Sequence, residues 1–129
     1  MSKINLEQRK YLENKFGSRV SFNTIERGLY GHDIAAIPGL IKVLIGKTTP
    51  DAVVQPQTEE ELVNLVRWAK DNNVPLTPRG KASSGYGGVL PVKNGVVIDF
   101  YRMNRILQID PKTQTVRVQA GVVWEKLDR

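Results

Sequence analysis

Residues 77–88 contain the residue types and spacing best suited to chemistry in this sequence. The segment holds four glycines, two serines and an alanine between two apolar runs. Glycine accepts positive φ and small side chains let a ligand approach the backbone, so successive N–H groups of such a loop can converge on one anion. Arg79 and Lys81 add positive charge at the mouth of this predicted anion site. The same composition is typical of a flexible surface loop, and composition alone favours that simpler interpretation.

Two common nucleotide-binding motifs are excluded by their spacing. Residues 46–48 read Gly-Lys-Thr, but the triphosphate-binding motif that ends this way needs a glycine where Ile41 stands. Gly85 and Gly87 could begin a dinucleotide fingerprint, but Leu90 occupies its third glycine position. The loop also leads toward a predicted strand, which removes the helix dipole on which that fingerprint depends. We therefore predict neither a nucleoside-triphosphatase nor a Rossmann site.

Isolated polar side chains elsewhere point less clearly to chemistry. His32 is the only histidine and there is no cysteine, so we predict no metal site and a structural or exposed role for His32. Asp33 and Asp99 could take part in acid–base chemistry, but single carboxylates at strand ends or turns are usually solvated. Tyr86 could stack on a ligand ring or shield the loop backbone, and both roles stay open.

The composition favours an anionic partner for a chain that is one domain or part of one. With 129 residues, 40% of them hydrophobic and 25% charged, it can build a core. The net charge of +6 is compatible with nucleic acid, anionic lipid or phosphorylated small molecules. Nucleic acid is not predicted, because the basic residues are scattered and only nine residues are aromatic.

Several features favour a soluble, cytoplasmic protein. The absence of cysteine excludes disulfides, thiolate metal sites and a cysteinyl cofactor link, and it suits a reducing compartment. The N-terminus lacks the apolar core of a signal peptide. The longest apolar run, residues 34–45, is broken by Pro38, Gly39 and Lys42 and is too short to span a membrane.

The elements that would position the loop alternate between strands and helices. Residues 5–16 predict a helix capped by Asn5 and ended by Gly17, whereas residues 18–50 show no sustained period. Residues 58–61 predict a capping box, with Thr58 and Glu61 bonding reciprocally, for a helix that ends near residues 72–73. Strands are predicted at 52–54, 74–77, 95–100, 105–110 and 115–120, with a turn at 111–113. The last strand alternates apolar and polar residues, which predicts a half-buried antiparallel strand, and the whole order is an α+β pattern.

The final segment, residues 121–129, is typical of a helix that stops after about two turns without a capping residue. Trp124 and Leu127 still need a packing partner there. We therefore expect the chain to be the front end of a longer protein.

Five sequence blocks then occur in one order: residues 50–56, the capped helix through Ala69, and residues 74–80, 97–106 and 116–122. Together they resemble the start of the FAD-binding domain of the vanillyl-alcohol oxidase / p-cresol methylhydroxylase (PCMH) superfamily. The resemblance is greatest to the branch of glycolate oxidase FAD subunits and D-lactate dehydrogenases. It implies an α+β fold, with a small mixed sheet and helices packed against it, as the first lobe of a PCMH-type FAD-binding domain.

This resemblance assigns residues 50–129 to the N-terminal part of the FAD-binding domain. Residues 1–49 are then expected to form a helical N-terminal extension, with Tyr30 and Asp33 in a segment like one seen in the family. The implied cofactor-binding residues are Pro78, Arg79, Gly80, Lys81, Ala82, Ser83, Ser84, Gly87 and Gly88.

In the family, the backbone amides that correspond to residues 80–84 hold the FAD pyrophosphate, and those at 87 and 88 close the turn. Lys81 and Ala82 stand where the family usually has glycines. Ala82 is expected to donate its amide only if its φ stays negative. Weaker FAD binding and a shifted loop are therefore two alternatives for this chain. Ser83 stands where some relatives attach flavin through a histidine, so the resemblance implies non-covalent FAD.

The resemblance implies an FAD-dependent oxidoreductase that oxidises a 2-hydroxy acid such as lactate or glycolate by hydride transfer to flavin. An electron-acceptor protein or an iron–sulfur subunit is the implied partner. No catalytic residue is predicted within the chain, because those groups are expected after Arg129, and the isolated chain is expected to be inactive. The alternative is a non-catalytic α+β module that binds a phosphorylated ligand or a partner protein through the same loop.

Overall fold

A four-stranded mixed sheet and a separate antiparallel hairpin contain all the strands in the described part of the chain. The computed structural model describes residues 4–34 and 37–128. The remaining residues, which fall in the predicted extension and the C-terminal helix, lie outside the described residues. The helices are α1 (Leu6–Phe16), α2 (Thr24–Leu29), α3 (Gly39–Ile45), α4 (Glu59–Asp71) and α5 (Trp124–Asp128). The strands are β1 (Val20–Ser21), β2 (Ala52–Val54), β3 (Leu76–Arg79), β4 (Val96–Asp99), β5 (Ile106–Asp110) and β6 (Thr115–Val118).

The mixed sheet has the order β1-β2-β4-β3. Strands β2, β4 and β3 are parallel, and β1 runs antiparallel to β2 with Val20 opposite Val54. This arrangement confirms the predicted α+β fold and the common sheet for the strands on either side of the loop. The segment before residue 50 contributes a strand to the sheet as well as helices.

Strand β3 begins two residues later than predicted. The N–H of Val74 donates to the carbonyl of Ala69 at 2.8 Å, so Val74 satisfies the end of α4 and is not part of the ladder. Pro78 has no N–H to offer, and it is tolerated because β3 pairs only with β4 at the edge of the sheet.

Both predicted helix starts are present. Asn5 and Gln8 form a reciprocal capping box at the start of α1, with bonds of 2.8 and 2.9 Å. At α4, the N–H of Glu61 donates to the Thr58 hydroxyl at 3.1 Å. The Glu61 carboxylate accepts the N–H of Gln57 at 2.8 Å and pairs with Arg19, so only the Thr58 half of the predicted reciprocal box is formed.

The core lies where α1 and α4 pack against the parallel strands. Its buried members are Leu12, Phe16, Ala52, Val54, Leu65, Ala69, Val74, Val96 and Ile98. Alternate residues of β2 and β4 supply one face, as the period of two in a strand requires. The ring of Tyr11 stacks on Trp68 with centroids 5.0 Å apart, which joins α1 to α4 directly. This packing fixes the carboxyl ends of β3 and β4.

The β5–β6 hairpin departs from the prediction of a half-buried strand. The pair is antiparallel, as predicted, but every residue of β6 is exposed. The burial prediction was wrong because the hairpin extends away from the core cluster, to which none of its residues belongs. Within residues 4–34 and 37–128, no helix is both long enough and apolar enough to cross a membrane.

Candidate functional site

The predicted loop connects two neighbouring parallel strands. Parallel neighbours need a long crossover, which is usually a helix. Here residues 80–95 make the connection between β3 and β4 with neither helix nor strand. Loops of this length inside a compact domain are usually functional, and ligands of open α/β sheets bind at the carboxyl ends of the strands. The loop starts at that end, where Arg79 lies opposite Asp99.

Three residues between positions 80 and 88 of the loop have a left-handed backbone. Gly85 and Gly87 have φ values of 67° and 75°, and Ala82 has a φ of 56°. The negative φ on which donation by the Ala82 amide was expected to depend is therefore not present. The loop retains a glycine-like bend at an alanine, although this conformation costs an L-residue roughly 1–2 kcal/mol. Such alternation of backbone conformations turns successive amides toward one side.

The amides of the loop are free to bind a ligand. Among the described residues, no acceptor takes the backbone N–H groups of residues 80–86. A Cβ atom added to Gly80 or Gly88 would meet no atom within 4 Å, so open space lies beside the backbone at both places. Lys81, Ser83 and Ser84 are exposed. Unpaired donors beside open space are what an anion such as pyrophosphate requires, so the loop fits that group.

The side chains of Arg79 and Lys81 differ in their contacts. The Nη1 of Arg79 donates to the carbonyl of His32 at 2.8 Å and to that of Tyr30 at 3.4 Å. Its guanidinium lies 5.2 Å from the Tyr30 ring centroid, in a cation–π contact. Arg79 therefore connects β3 to the N-terminal segment, whereas the side chain of Lys81 is exposed. The side chain of His32 is exposed, as predicted.

Asp33 holds the far half of the loop. Its Oδ2 accepts the N–H of Gly87 at 2.8 Å, and the residue is partly buried. The expectation of a solvated carboxylate was therefore wrong for Asp33. The bond joins residues 54 positions apart in sequence, a separation that local patterns do not reveal.

Asp99 is buried and accepts several hydrogen bonds at the end of β4. Its side chain lies in a residue only 7% exposed, so the expectation of a solvated carboxylate was wrong here too. Its Oδ2 accepts from the Tyr30 hydroxyl and from Gln55 Nε2, both at 2.7 Å, and its Oδ1 accepts the N–H of Tyr101 at 3.0 Å. Burial, together with the bond to Asp99, raises the pKa of Tyr30 to about 12. One signal was present in the sequence, because Asp99 directly follows an apolar run.

Gly121 closes the same end of the sheet. A Cβ atom there would lie 1.9 Å from the carbonyl oxygen of Phe100, so only glycine fits. Its N–H donates to the carbonyl of Met103 at 2.8 Å. Gly121 lines a cavity of about 40 Å³ with Gly80, Lys81, Asp99 and Tyr101. Sequence reasoning did not single out Gly121 as a site residue.

All nine predicted site residues lie on one continuous segment. Pro78 and Arg79 end β3, and the others follow in the loop. Tyr86 is 93% exposed, so it does not shield the backbone within the described structure, and its stacking role stays a prediction. The described residues contain no cluster of acidic or histidine side chains suited to a metal ion.

Comparison with known proteins identifies the family to which the chain belongs. The family described as FAD binding domain matches residues 50–129. The glycolate oxidase subunit GlcD of Bacillus subtilis is 36% identical over 77 residues, covering 60% of this chain and 16% of that protein. The D-lactate dehydrogenase of Anaerostipes hadrus is 32% identical over 84 residues, 65% of this chain and 18% of that protein. The alkyldihydroxyacetonephosphate synthase of Dictyostelium discoideum is 38% identical over 95 residues, 70% of this chain and 16% of that protein.

Solved structures show the same fold. An alkyldihydroxyacetonephosphate synthase structure is 31% identical, with a TM-score of 0.79, and covers 95% of this chain and 26% of that one. A p-cresol methylhydroxylase structure has a TM-score of 0.75 at 21% identity over 97% of this chain and 24% of that one, which shows the fold alone. The chain thus spans less than a fifth of the length of the three curated relatives. The predicted resemblance is confirmed: the chain belongs to the FAD-binding domain family, and its cofactor is FAD.

Proposed function

We propose that this chain forms the first lobe of the FAD-binding domain of an oxidoreductase that acts on a 2-hydroxy acid. In this proposal residues 50–129 belong to the FAD-binding domain and residues 1–49 form an extension that braces it. The observation that carries the proposal is the row of unpaired amides at residues 80–86, at the carboxyl edge of a parallel sheet.

The backbone of the loop binds the FAD pyrophosphate in this proposal. The N–H groups of residues 80–84 donate to the phosphate oxygens, and the left-handed bend at Ala82 turns them toward one side. Lys81 adds a solvent-screened charge at the mouth, and the residues at 87 and 88 close the turn. Ser83 has no imidazole through which flavin could be attached, so FAD is held without a covalent bond.

The bound FAD supplies the redox chemistry by accepting a hydride. Residues 30–33 support the loop: Asp33 fixes Gly87, and Arg79 anchors the end of β3 to the carbonyls of Tyr30 and His32. Because the contacts lie on both sides of residues 80–84, they hold the amide row in its binding geometry. Such preorganisation lowers the ordering cost of binding the pyrophosphate.

The substrate class rests on the relatives. A glycolate oxidase subunit and a D-lactate dehydrogenase both carry names that specify short 2-hydroxy acids. We propose that the native protein oxidises lactate, glycolate or a close analogue, passes the electrons to an acceptor protein or an iron–sulfur subunit, and works in the cytoplasm.

Anaerobic titration of the native protein tests this proposal. We expect D-lactate or glycolate to bleach the visible absorption of the bound flavin, whereas the matching 2-oxo acids, pyruvate and glyoxylate, leave it oxidised. Acid precipitation should release all the flavin into the supernatant if binding is non-covalent. Flavin that stays oxidised with every 2-hydroxy acid would contradict the proposed reaction, but it would not contradict the proposed FAD site.

A second candidate follows from one comparison. The Dictyostelium discoideum alkyldihydroxyacetonephosphate synthase aligns with 70% of this chain by sequence, and a solved structure of a synthase of that name aligns with 95% of it. Both matches therefore reach beyond residues 50–129 into the extension. A synthase that makes an alkyl dihydroxyacetone phosphate is the alternative for the native protein. Specific binding of that compound, without flavin bleaching by any 2-hydroxy acid, would favour the synthase.

A further inference from the structure

Two adjoining cavities lie between α3 and the half of the loop that follows Ser84. The first has a volume of about 370 Å³ and the second about 330 Å³. Ile37, Ile45 and Leu90 line both of them, so the two cavities are compartments of one cleft. We call this the α3 cleft. Gly85, Tyr86 and Gly87 line its second cavity, so the cleft adjoins the cofactor loop, whereas none of residues 80–84, which are proposed to hold the pyrophosphate, lines either cavity.

The first compartment carries cationic and hydroxyl groups. Lys42, Lys47, Thr48 and Thr49 line it, and Asp33 is the single acidic residue among its described lining. One Asp33 oxygen already accepts the Gly87 N–H. The compartment therefore favours an anion, since two lysines and a single carboxylate that already accepts a hydrogen bond line it.

The wall of this compartment is held in place by hydrogen bonds. The Thr48 hydroxyl donates to the carbonyl of Gly31 at 2.5 Å. Asn94 Nδ2 donates to the carbonyls of Lys47 and Thr49 at 3.1 and 2.8 Å. Residues 47–49 are thus fixed from both sides, which reduces the ordering cost of binding a ligand against them.

The second compartment is apolar. Its described lining contains no charged side chain, and Ile41, Leu90 and Val92 are among its members. Leu90 is buried and forms its floor, whereas Ile41 and Val92 remain partly exposed to solvent. Each methylene group of a ligand buried here would tighten binding about fourfold.

We propose that the α3 cleft binds an amphipathic anion, a molecule with one carboxylate or phosphate head and a saturated hydrocarbon chain. The head lies in the compartment lined by Lys42 and Lys47, and the chain lies between Ile41 and Val92. Ligand sites of this size are mostly apolar with a few polar groups that fix orientation, and the α3 cleft has both parts in adjacent places.

A monomeric amphiphile fits the cleft better than a bilayer surface. The two compartments adjoin and share the buried residue Leu90, so a single chain can lie along both of them. A bilayer would instead contact the outer face of α3, where Leu40, Val43 and Leu44 are 77% to 79% exposed. These two occupants depend on different residues and can be separated by experiment.

Calorimetric titration of the native, FAD-containing protein with decyl phosphate below its micelle-forming concentration tests the proposal without any turnover. We expect saturable one-to-one binding, with at least tenfold weaker binding of inorganic phosphate, which lacks the chain, and of decanol, which lacks the charge. The double variant Lys42→Gln/Lys47→Gln should bind decyl phosphate at least tenfold more weakly than the wild type. Lys112→Gln, in the exposed β5–β6 turn, is the matched control and should leave it unchanged.

The apolar compartment is tested separately with Ile41→Ser, which removes a partly exposed contact and leaves the lysines in place. This substitution should weaken the binding of decyl phosphate about fivefold and leave the affinity for inorganic phosphate unchanged. The proposal is overturned if inorganic phosphate binds as tightly as decyl phosphate, or if neither the lysine pair nor Ile41 affects binding. Association with phosphatidylglycerol vesicles that is lost in Leu44→Ser, with no binding of monomeric decyl phosphate, would also overturn it in favour of a bilayer.

Discussion

The Tyr30 hydroxyl donates a 2.7 Å hydrogen bond to Asp99 Oδ2, across 69 positions of sequence. Tyr30 belongs to the segment before the matched family region, and Asp99 ends β4 beside the start of the loop. The bond therefore ties the N-terminal segment to the edge of the sheet where the cofactor loop begins. Gln55 completes the arrangement by donating to the same carboxylate oxygen.

Replacing Tyr30 tests the contribution of this bond to stability. Tyr30→Phe keeps the ring over which Arg79 lies and removes one donor from the buried carboxylate. We expect the free energy of unfolding to fall by about 1.5–3 kcal/mol, the usual range for a hydrogen bond to a charged group. Urea denaturation measures it, with Tyr101→Phe as control, because the Tyr101 ring is exposed. Equal effects of the two substitutions would contradict a special role for Tyr30.

The same environment predicts a late tyrosine titration. The pKa of Tyr30 is raised from 10.0 to about 12, since burial and the bond to Asp99 both oppose the phenolate. The neutral phenol therefore contributes stability below pH 10, and that stability is lost as the pH rises toward 12. Ultraviolet difference spectra should show a late-titrating component that disappears in Tyr30→Phe. A full tyrosine titration centred near pH 10 in the wild type would contradict this.

The Arg19–Glu61 pair predicts an acid dependence of stability. Arg19 donates two hydrogen bonds of 2.6 and 2.7 Å to the carboxylate, and these lower the pKa of Glu61 from 4.5 to about 2. The charged carboxylate therefore stabilises the fold above pH 4.5, and this stabilisation is lost as the pH falls toward 2.

Denaturation as a function of pH checks this pair. At neutral pH we expect Glu61→Gln to lower the free energy of unfolding by about 1–2 kcal/mol. This value lies between those for exposed ion pairs and for buried, charge-assisted hydrogen bonds. The difference from wild type should shrink below pH 4.5. Glu60→Gln, exposed in the same helical turn, is the control and should show no comparable loss. A difference that stays constant down to pH 2 would rule out the ion pair as its source.

Local patterns were sufficient for the elements that depend on neighbouring residues. The caps at Asn5 and Thr58 and the strands on either side of the loop could be predicted, because capping and apolar periodicity act within a few positions. The contacts that shape the site could not. Asp33 and Asp99 accept hydrogen bonds from partners 54 and 69 positions away, and no local pattern carries that information.

The backbone of the loop illustrates the same limit. The resemblance identified the segment, but the φ of Ala82 depends on how the ends of the loop are held, and this is decided by tertiary contacts at Arg79 and Gly87. The half-buried state of β6 was predicted from the alternation of apolar and polar residues alone. Such alternation shows which face of a strand is apolar, but it does not show whether another element covers that face.

Ala82→Gly tests the strain in the loop. Glycine adopts the left-handed conformation without the Cβ clash, so we expect the free energy of unfolding to rise by about 1 kcal/mol. FAD should bind at least as tightly as in the wild type, because the amide is retained. Ala120→Gly is the control, since Ala120 is not among the residues with positive φ, and it should be neutral or destabilising. Destabilisation by both glycines would show that Ala82 is unstrained.

The central claim is that the backbone of residues 80–84, and not a side-chain charge, holds the FAD pyrophosphate. Ser84→Pro removes one amide donor and fixes φ, whereas Lys81→Ala removes only an exposed, screened charge. Losing one charge-assisted hydrogen bond costs about 1.5–3 kcal/mol, roughly a ten- to hundredfold rise in the dissociation constant. We expect a smaller effect for Lys81→Ala.

The decisive measurement is the flavin content and FAD dissociation constant of both variants of the native protein, with circular dichroism to confirm that each is folded. The account predicts that Ser84→Pro loses most of its flavin and that Lys81→Ala keeps most of it. A folded Ser84→Pro protein with full flavin content, beside a Lys81→Ala protein that has lost it, would contradict the account.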